Sequence, residues 1–147
     1  MTEIGFYHLT RTGSDRALPR LLARTLAAGA RASVRCPSPE RLAAIDTALW
    51  EVSGEWLPHG SASDGDAELQ PIWLTLADEA PNGARYLFLV EGAETGRLDA
   101  FDRVFDLFDG RDEAAVSAAR LRWKAAREAG HALTYWRQTG EGWEKGP

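Results

Sequence analysis

The chain has 147 residues, of which 44% are hydrophobic and 27% are charged, and its formal net charge is −5. This composition excludes a largely disordered chain, and the length predicts a single domain over residues 1–147. The acidic balance argues against a protein that grips DNA or RNA over a broad surface, because phosphate binding requires a basic face.

The first half of the chain alternates strand and helix patterns. Residues 3–9, EIGFYHL, are rich in aromatic and β-branched residues and predict a strand. Residues 15–28 predict a helix with Pro19 in its first turn and Gly29 as its stop signal. The apolar stripe of this helix consists of Leu18, Leu21, Leu22 and Leu26.

A second strand and a second helix follow directly. ARASVRC, residues 30–36, predicts the strand. In the next helix we expect Ser38 to be the N-cap and Pro39 the first residue. The apolar stripe of this helix consists of Leu42, Ile45 and Leu49.

A polar segment then interrupts the alternation. Residues 54–71 are rich in Gly, Ser and Asp, which predicts a loop with a flexible tip near residues 60–67. PIWLTL, residues 71–76, and ARYLFLV, residues 84–90, are continuous apolar runs of the kind found in strands buried on both faces. DEAPNG between them predicts a turn.

The last third of the chain predicts two helices and a strand. In residues 98–110 the apolar side chains recur at helical spacing, and the aspartates at positions 99, 102, 106 and 109 are expected on the solvated face of that helix. A helix including residues 118–130 and a strand at 131–138 follow. The order β-α-β-α-β-β-α-α-β predicts an α/β fold, a three-layer α/β/α arrangement around a mainly parallel, mixed sheet.

The motifs of common nucleotide and metal sites are absent from the sequence. Neither G-x-G-x-x-G nor the P-loop pattern occurs, so the topology is nucleotide-binding-like without a phosphate-binding motif. The histidines at positions 8, 59 and 131 lack metal-ligand spacing, and no cofactor or metal is predicted. Cys36, the one cysteine, is interpreted as a buried thiol, and His59 as a hydrogen-bonding loop residue. A binding module is therefore favoured over an enzyme.

Cysteine use and hydropathy also bear on localisation. A single cysteine excludes a disulfide within the chain, which is typical of a reducing compartment. The N-terminal segment lacks the basic and apolar regions of a signal peptide, and the longest apolar runs are too short to span a bilayer. We expect a soluble, cytoplasmic protein that does not bind membranes.

The helix around AARLRWKAAREAG carries an unusual surface. Small apolar residues at positions 114, 118, 121 and 125 predict the face that packs on the sheet. The opposite face carries Val116, Arg120, Trp123, Lys124 and Arg127. An ordinary solvated face with the indole under a loop is one interpretation. A site for an anion with an apolar neighbour is the other, because arginine binds carboxylates bidentately and tryptophan provides a stacking wall.

A second surface lies in TALWEVSGEWLPHG. Trp50, Trp56, Leu57 and Pro58 crowd a helix end and the loop that follows it. These residues either close the bottom of the core or anchor another protein, since tryptophan is enriched at binding hot spots.

Taken together, several segments resemble the chi subunit of bacterial DNA polymerase III holoenzyme. They are GFYHL, IDTALW, EWLPHG, QPIWL, AARLRWKAAREAG and LTYW, in this order and spacing over nearly the whole chain. The resemblance implies a non-catalytic accessory of the clamp-loader assembly. It implies one face that binds the psi subunit and another that binds the acidic C-terminal tail of single-stranded DNA-binding protein, SSB. In related chi proteins the psi face can instead bind a repair helicase.

The resemblance also assigns roles to residues. Arg120 matches the arginine that grips the carboxylate of the tail, with Trp123 where tyrosine is common, and with Lys124 and Arg127 beside them. Trp50, Trp56, Leu57 and Pro58 form the surface for psi or an equivalent partner. Val116 replaces a basic residue found in some relatives. The alternatives are direct single-stranded nucleic acid binding through Trp123 and its cationic neighbours, or a repair-helicase partner in DNA damage tolerance. A nucleotide-dependent enzyme is a further hypothesis.

Overall fold

The computed structural model describes residues 2–52, 56–140 and 142–146. The strands within this part of the chain are β1 (Glu3–Leu9), β2 (Ala32–Arg35), β3 (Ile72–Thr75), β4 (Tyr86–Val90), β5 (Arg103–Asp109), β6 (Ala132–Gln138) and β7 (Trp143–Lys145). The helices are α1 (Ser14–Ala27), α2 (Pro39–Glu51) and α3 (Glu113–Glu128). Single 3-10 turns lie at Ala67–Leu69 and Leu98–Ala100.

One sheet connects all these strands in the order β3-β2-β4-β5-β1-β6-β7. Every neighbouring pair is parallel except β6 and β7, which are antiparallel. The prediction of a mainly parallel, mixed sheet is confirmed.

Helices cover both faces of the sheet. α1 and α2 pack against each other and cover one face, where the larger buried cluster includes Leu18, Leu22, Ile45, Leu49 and Phe88. Among the helices of the described residues, α3 is the one on the other face, where it lies against β5 and β6 over a smaller cluster that includes Phe6 and Phe108. The three-layer α/β/α prediction is therefore confirmed, and a single helix on the second face leaves grooves on both of its flanks.

Several local signals act where they were predicted. The Ser38 hydroxyl accepts a hydrogen bond from the Arg41 amide at 3.2 Å, and Pro39 begins α2. Gly29 follows α1 with a φ of +79°, a left-handed conformation that glycine adopts without strain. Pro19, however, lies in the second turn of α1, because the helix already begins at Ser14. The expectation that Pro19 occupies the first turn was wrong.

The largest correction concerns residues 98–110, which form a strand and not the predicted helix. Leu98–Ala100 form a 3-10 turn, and Arg103–Asp109 form β5, which pairs in parallel with both β1 and β4. Residues 104–108 are all buried, since side chains on both faces of this central strand are covered. The Phe105 ring stacks on Phe88 with centroids 4.2 Å apart on the α1 side, while Val104 and Phe108 contribute to the cluster under α3.

The polar segment after α2 partly confirms the predicted loop. Residues 54 and 55, with which that loop begins, lie outside the described residues. Gly60 forms a parallel bridge with Trp73, and Ser61 is buried. The flexibility expected of residues 60–67 stays a prediction. β7, for which the sequence analysis proposed no strand, extends the sheet beyond β6.

Candidate functional site

α3 packs on the sheet through a face different from the predicted one. Positions 114, 118, 121 and 125 were expected to be inside, but all four are exposed, and Leu121 is 71% exposed. The buried residues of α3 are Ala119 and Ala126. The three cations of the predicted outer face are exposed, whereas Val116 and Trp123 are half-buried. The assignment of the inner face was wrong, although the cations lie at the surface as predicted.

A buried ion pair helps to hold α3 in this orientation. Arg122 donates from Nε to Oδ2 of Asp106 at 2.7 Å and from Nη2 to Oδ1 at 3.0 Å. The side chains are 14% and 4% exposed. Burial raises the pKa of Asp106, and the hydrogen bonds and charge of Arg122 lower it. The expectation that Asp106 lies on a solvated helix face was wrong, because β5 places its carboxylate under α3.

Trp123 packs against the sheet on the opposite flank of α3. Its ring lies edge-on to Phe6 of β1, with centroids 5.2 Å apart and an interplanar angle of 64°. It also lies edge-on to Tyr135 of β6, with centroids 6.5 Å apart. These contacts make the indole one wall of a cavity between α3 and β6.

Arg120 borders the same cavity, which has a volume of about 240 Å³ and is called the Arg120 cavity below. Its lining is apolar and aromatic apart from Arg120 and His8, and consists of Phe6, His8, Phe108, Val116, Ala119, Arg120, Trp123 and Tyr135. The Arg120 side chain is exposed and makes no ion pair or hydrogen bond with any residue that the structure describes. A free guanidinium thus lies beside a half-open pocket with aromatic walls.

His8 and Tyr135 form the polar end of the Arg120 cavity. Nδ1 of His8 is hydrogen-bonded to the Tyr135 hydroxyl, and the His8 ring lies 5.1 Å from the Phe108 ring between centroids. Burial raises the pKa of Tyr135, while the charges of Arg137 and Arg120 lower it. The positive charge of Arg120 therefore acts on the Tyr135 hydroxyl at the polar end of the cavity.

The other two predicted cations lie outside the lining of the cavity. Lys124 and Arg127 are exposed on α3, one and two turns after Arg120, and neither borders the pocket. Val116 does border it. The structure therefore brings Arg120, Trp123 and Val116 together, with Lys124 and Arg127 as more distant charges.

The second predicted surface lies at the end of α2 and in the loop after it. Trp50 is 56% exposed and Trp56 is 77% exposed, which is unusual for the largest apolar side chain. Pro58 is half-buried, and Leu57 is buried in the core under α2. Trp50, Trp56 and Pro58 are together called the Trp50 surface below. Leu57 anchors this surface from the inside.

His59 fixes the loop under the Trp50 surface. Its Nδ1 lies 2.7 Å from the Leu57 carbonyl oxygen, and its Nε2 lies 2.8 Å from a carboxylate oxygen of Asp46 on α2. The Trp50 ring covers the imidazole with centroids 4.2 Å apart. The predicted hydrogen-bonding role of His59 is confirmed, and this role holds one exposed tryptophan in place.

The crevice where doubly wound sheets bind nucleotides has a different lining here. β1 and β5 are neighbours whose following helices lie on opposite faces, and a cavity of about 520 Å³ lies at their carboxyl ends. Within it, Arg41 donates to Glu91 at 2.6 Å, and Ser14 donates to the same carboxylate at 3.0 Å. Asp109 and Asp112 also line the crevice. The cations of this crevice, Arg41 and Arg122, are both paired with carboxylates of the chain.

A comparison with protein families identifies the family of the chain. The family model described as DNA polymerase III chi subunit, HolC, matches residues 1–134. The chain belongs to this family. A comparison with curated proteins gives no match. The resemblance noted from the sequence segments is confirmed, and as a chi-family chain the protein is an accessory subunit in DNA replication by DNA polymerase III.

Sequence reasoning about this chi-family chain missed part of the Arg120 cavity. Phe6, His8 and Phe108 line it, but they were interpreted only as parts of a strand or a helix. Tyr135 was seen only within a strand, one residue past the matched region. The available signal was strand alternation, which puts Phe6 and His8 on one face of β1, where they neighbour Tyr135 across the parallel pair.

The other features considered in the sequence of this chi-family chain are the cysteine, possible metal ligands and membrane-spanning segments. Cys36 is buried just after β2, and burial raises the pKa of its thiol to about 12, so the nucleophilic thiolate is disfavoured. Within residues 2–52, 56–140 and 142–146, no three His, Cys, Asp or Glu side chains are grouped as metal ligands. Of the helices described, none has both the length and the apolar character needed to cross a membrane.

Proposed function

We propose that this chi-family protein binds the acidic C-terminal tail of SSB in the Arg120 cavity. We further propose that the Trp50 surface binds psi, or an equivalent partner, and so links the protein to the clamp loader. The observation that carries the first proposal is the free Arg120 guanidinium beside an aromatic cavity of about 240 Å³.

The walls of the Arg120 cavity suit an aromatic residue at the end of a peptide. Phe6, Trp123 and Tyr135 present ring edges and faces, which favour edge-to-face contact with a further ring. Val116 and Ala119 are small, and they leave room above the sheet. An aromatic side chain would enter between α3 and β6.

Arg120 is placed to recognise the chain end that such a ring brings with it. A guanidinium offers a planar pair of donors that matches a terminal carboxylate. Lys124 and Arg127 lie within one and two turns, and their fields act on the acidic residues of the tail over a screening length of about 8 Å. Since these charges are exposed, we expect modest affinity that falls as salt rises.

A labelled peptide with the SSB tail sequence tests the proposal by fluorescence anisotropy. Arg120→Ala is expected to weaken binding about tenfold or more, because a charged hydrogen-bonded partner of the carboxylate is lost. Arg127→Ala removes the same charge from the same helix outside the cavity lining, and it is expected to weaken binding less than threefold, because its charge acts on the tail only from a distance. Equal effects of the two variants would refute a specific site at Arg120.

The Trp50 surface is proposed for a protein partner because two indoles are exposed to solvent. His59 and Leu57 anchor the loop from beneath, and the Trp50 ring packs on the His59 imidazole. Exposed tryptophans on a fixed support are typical of interface hot spots. The partner is psi or its equivalent, and a repair helicase is the alternative occupant of the same surface.

We infer that the protein itself is non-catalytic and acts in the cytoplasm as one chi-like domain. Support comes from the crevice at the carboxyl ends of β1 and β5, where the Arg41–Glu91 pair and two further aspartates stand in place of a phosphate-binding loop. A thermal-shift measurement with ATP and with NAD tests this inference. Stabilisation by either nucleotide would contradict it.

A further inference from the structure

A row of aromatic rings crosses the sheet on the face opposite to α3. Tyr7 of β1 is the register neighbour of Trp136 of β6, and Trp136 is the register neighbour of Lys145 of β7. The rings of Tyr7 and Trp136 are nearly parallel, at 13°, with centroids 6.3 Å apart. Trp143 meets Tyr7 edge-on at 5.0 Å. The row continues through Phe105, which stacks on Tyr7 at 5.6 Å.

These rings surround a cavity of about 260 Å³ beside the last turns of α1. Tyr86, Trp136 and Trp143 are only half-buried, so their rings remain accessible from solvent. The Trp136 indole N–H donates to the Thr134 hydroxyl at 3.1 Å. The hydrogen-bonding need of the indole is therefore met within the chain, and only the exposed part of its ring is left for contact with a ligand.

Cations border this aromatic cavity although the chain is acidic. Arg24 of α1 lines it, and this side chain makes no ion pair or hydrogen bond among the described residues. Arg103 lies 5.0 Å above the Phe105 ring and 5.5 Å above the Tyr86 ring, with Glu3 as an ion-pair partner at 3.6 Å. Lys145 lies outside the cavity lining, with its Nζ 6.0 Å from the centroid of the Trp136 ring.

Electrostatics at Tyr7 agree with this placement. Burial raises the pKa of the Tyr7 phenol, and the charges of Arg103 and Arg24 lower it, with a smaller opposing effect from Glu3. Two positive charges and one partly compensating negative charge therefore act on the same end of the cavity.

We propose that the cavity between α1, β5, β6 and β7 binds single-stranded nucleic acid, with a base stacked on the accessible indoles and phosphates held by Arg24, Arg103 and Lys145. Flat aromatic surfaces with cations on the rim are the physical basis of sequence-tolerant single-strand binding. An acidic peptide instead needs donors that converge on a carboxylate, and the rim cations here are spread across three elements.

This site is separate from the Arg120 cavity and from the Trp50 surface. Tyr7 and Phe105 point to the α1 side of the sheet, whereas Phe6 and Trp123 lie on the α3 side. Trp136, Trp143 and Lys145 all lie past residue 134, where the family match ends. Nucleic acid on one face and the proposed SSB tail on the other could be bound at the same time.

The test is fluorescence anisotropy of labelled oligo-deoxythymidine with the full chain at low salt and over a salt series. Trp143→Ala is expected to weaken binding about tenfold or more, because loss of a base stack typically costs that much. Arg24→Ala combined with Lys145→Ala is expected to weaken binding and to reduce the slope of log K against log salt by about 0.7 for each lost phosphate contact. Both cations are exposed, so the double variant keeps the fold.

Two controls locate the binding. Arg20→Ala removes an exposed cation one turn before Arg24 that does not line the cavity, and it is expected to change affinity less than twofold. Arg120→Ala on the other face is expected to leave oligonucleotide affinity unchanged while it weakens the SSB-tail peptide. That contrast keeps the two proposals separately testable.

Several results would overturn the nucleic acid site. They are no oligonucleotide binding by the wild type at low salt, equal loss in Arg20→Ala and in a single variant Arg24→Ala made for this comparison, or loss in Arg120→Ala alone. The site would instead belong to a peptide if the SSB-tail peptide were weakened by Trp143→Ala and by Arg24→Ala while oligonucleotide binding was not.

Discussion

Arg122 in the middle of α3 holds the carboxylate of Asp106 in the middle of β5 through two hydrogen bonds of 2.7 and 3.0 Å. This buried pair lies on one flank of α3, and Trp123 packs against Phe6 on the other. The two contacts together fix the rotation of the helix about its axis. That rotation sets Arg120 beside the cavity and leaves Leu121 in solvent.

Loss of one member of the buried pair is expected to be costly. Arg122→Ala leaves the Asp106 carboxylate buried without a partner and should lower the free energy of unfolding by about 3–5 kcal/mol. Urea denaturation measures this change. Asp106→Leu combined with Arg122→Met should recover most of the loss, since neither charge is then buried. A double variant as unstable as the single one would contradict this account.

The same double variant tests how α3 is oriented. If the pair fixes the rotation of the helix, the folded double variant should bind the SSB-tail peptide more weakly, although Arg120 and Trp123 are unchanged. Wild-type peptide affinity in that variant would show that the Trp123 contacts alone set the orientation.

Val116 offers a position for a gain of affinity. It borders the Arg120 cavity, and a lysine there would add a cation one turn before Arg120. Val116→Lys is expected to tighten SSB-tail binding about two- to fivefold at low salt, with a steeper salt dependence, as for a partly exposed ion pair. Peptide anisotropy measures both. Ala118→Lys adds the same charge outside the lining, and an equal gain there would indicate a non-specific field effect.

Gly110 makes room for the polar end of the Arg120 cavity. A Cβ at this position would overlap the His8 imidazole and lie 2.8 Å from the Leu9 carbonyl oxygen. Gly110→Ala should therefore displace His8 from Tyr135, destabilise the fold by about 1–3 kcal/mol and weaken peptide binding. Thermal denaturation and peptide anisotropy measure the two effects. In Gly96→Ala the nearest atom is 3.8 Å away, and this control should be tolerated.

At the Trp50 surface, adjacent residues are expected to serve different purposes: Trp56 binds the partner and Leu57 stabilises the fold. Trp56 is 77% exposed, so Trp56→Ala should change the unfolding free energy by less than about 0.5 kcal/mol while it reduces capture of the psi-like partner. Leu57 is 2% exposed, so Leu57→Ala should cost about 2–5 kcal/mol. Denaturation curves and co-purification with psi measure these effects. Undiminished partner capture by Trp56→Ala would remove this indole from the interface.

Features with local causes were accessible from the sequence. A cap such as Ser38 acts through its own neighbouring amides, and Gly29 ends α1 because its own φ is positive. The apolar runs at 72–75 and 86–90 are strands because both faces of a parallel sheet are buried. Each of these signals lies within a few residues of the structure that it predicts.

Residues 98–110 show where periodicity alone failed. Phe101, Val104, Phe105 and Phe108 fit a helical stripe, yet Val104 to Phe108 also form an unbroken buried run. Whether the segment forms a helix or a buried strand depended on a partner that could neutralise Asp106 in the interior. That partner is Arg122, sixteen residues later. Arg122 is too far along the chain for the local sequence pattern of residues 98–110 to include it.

The sequence by itself determined the α/β class, the surface position of the α3 cations and the family. Only the tertiary structure decided which face of α3 meets the sheet, and so that Arg120 and Trp123 share a cavity with His8 and Tyr135. Alanines lie on both sides of α3, and small side chains fit against a sheet from either direction. The rotation of α3 about its axis is therefore set by two contacts with distant strands. Arg122 neutralises the buried Asp106 carboxylate, and the Trp123 ring packs against Phe6.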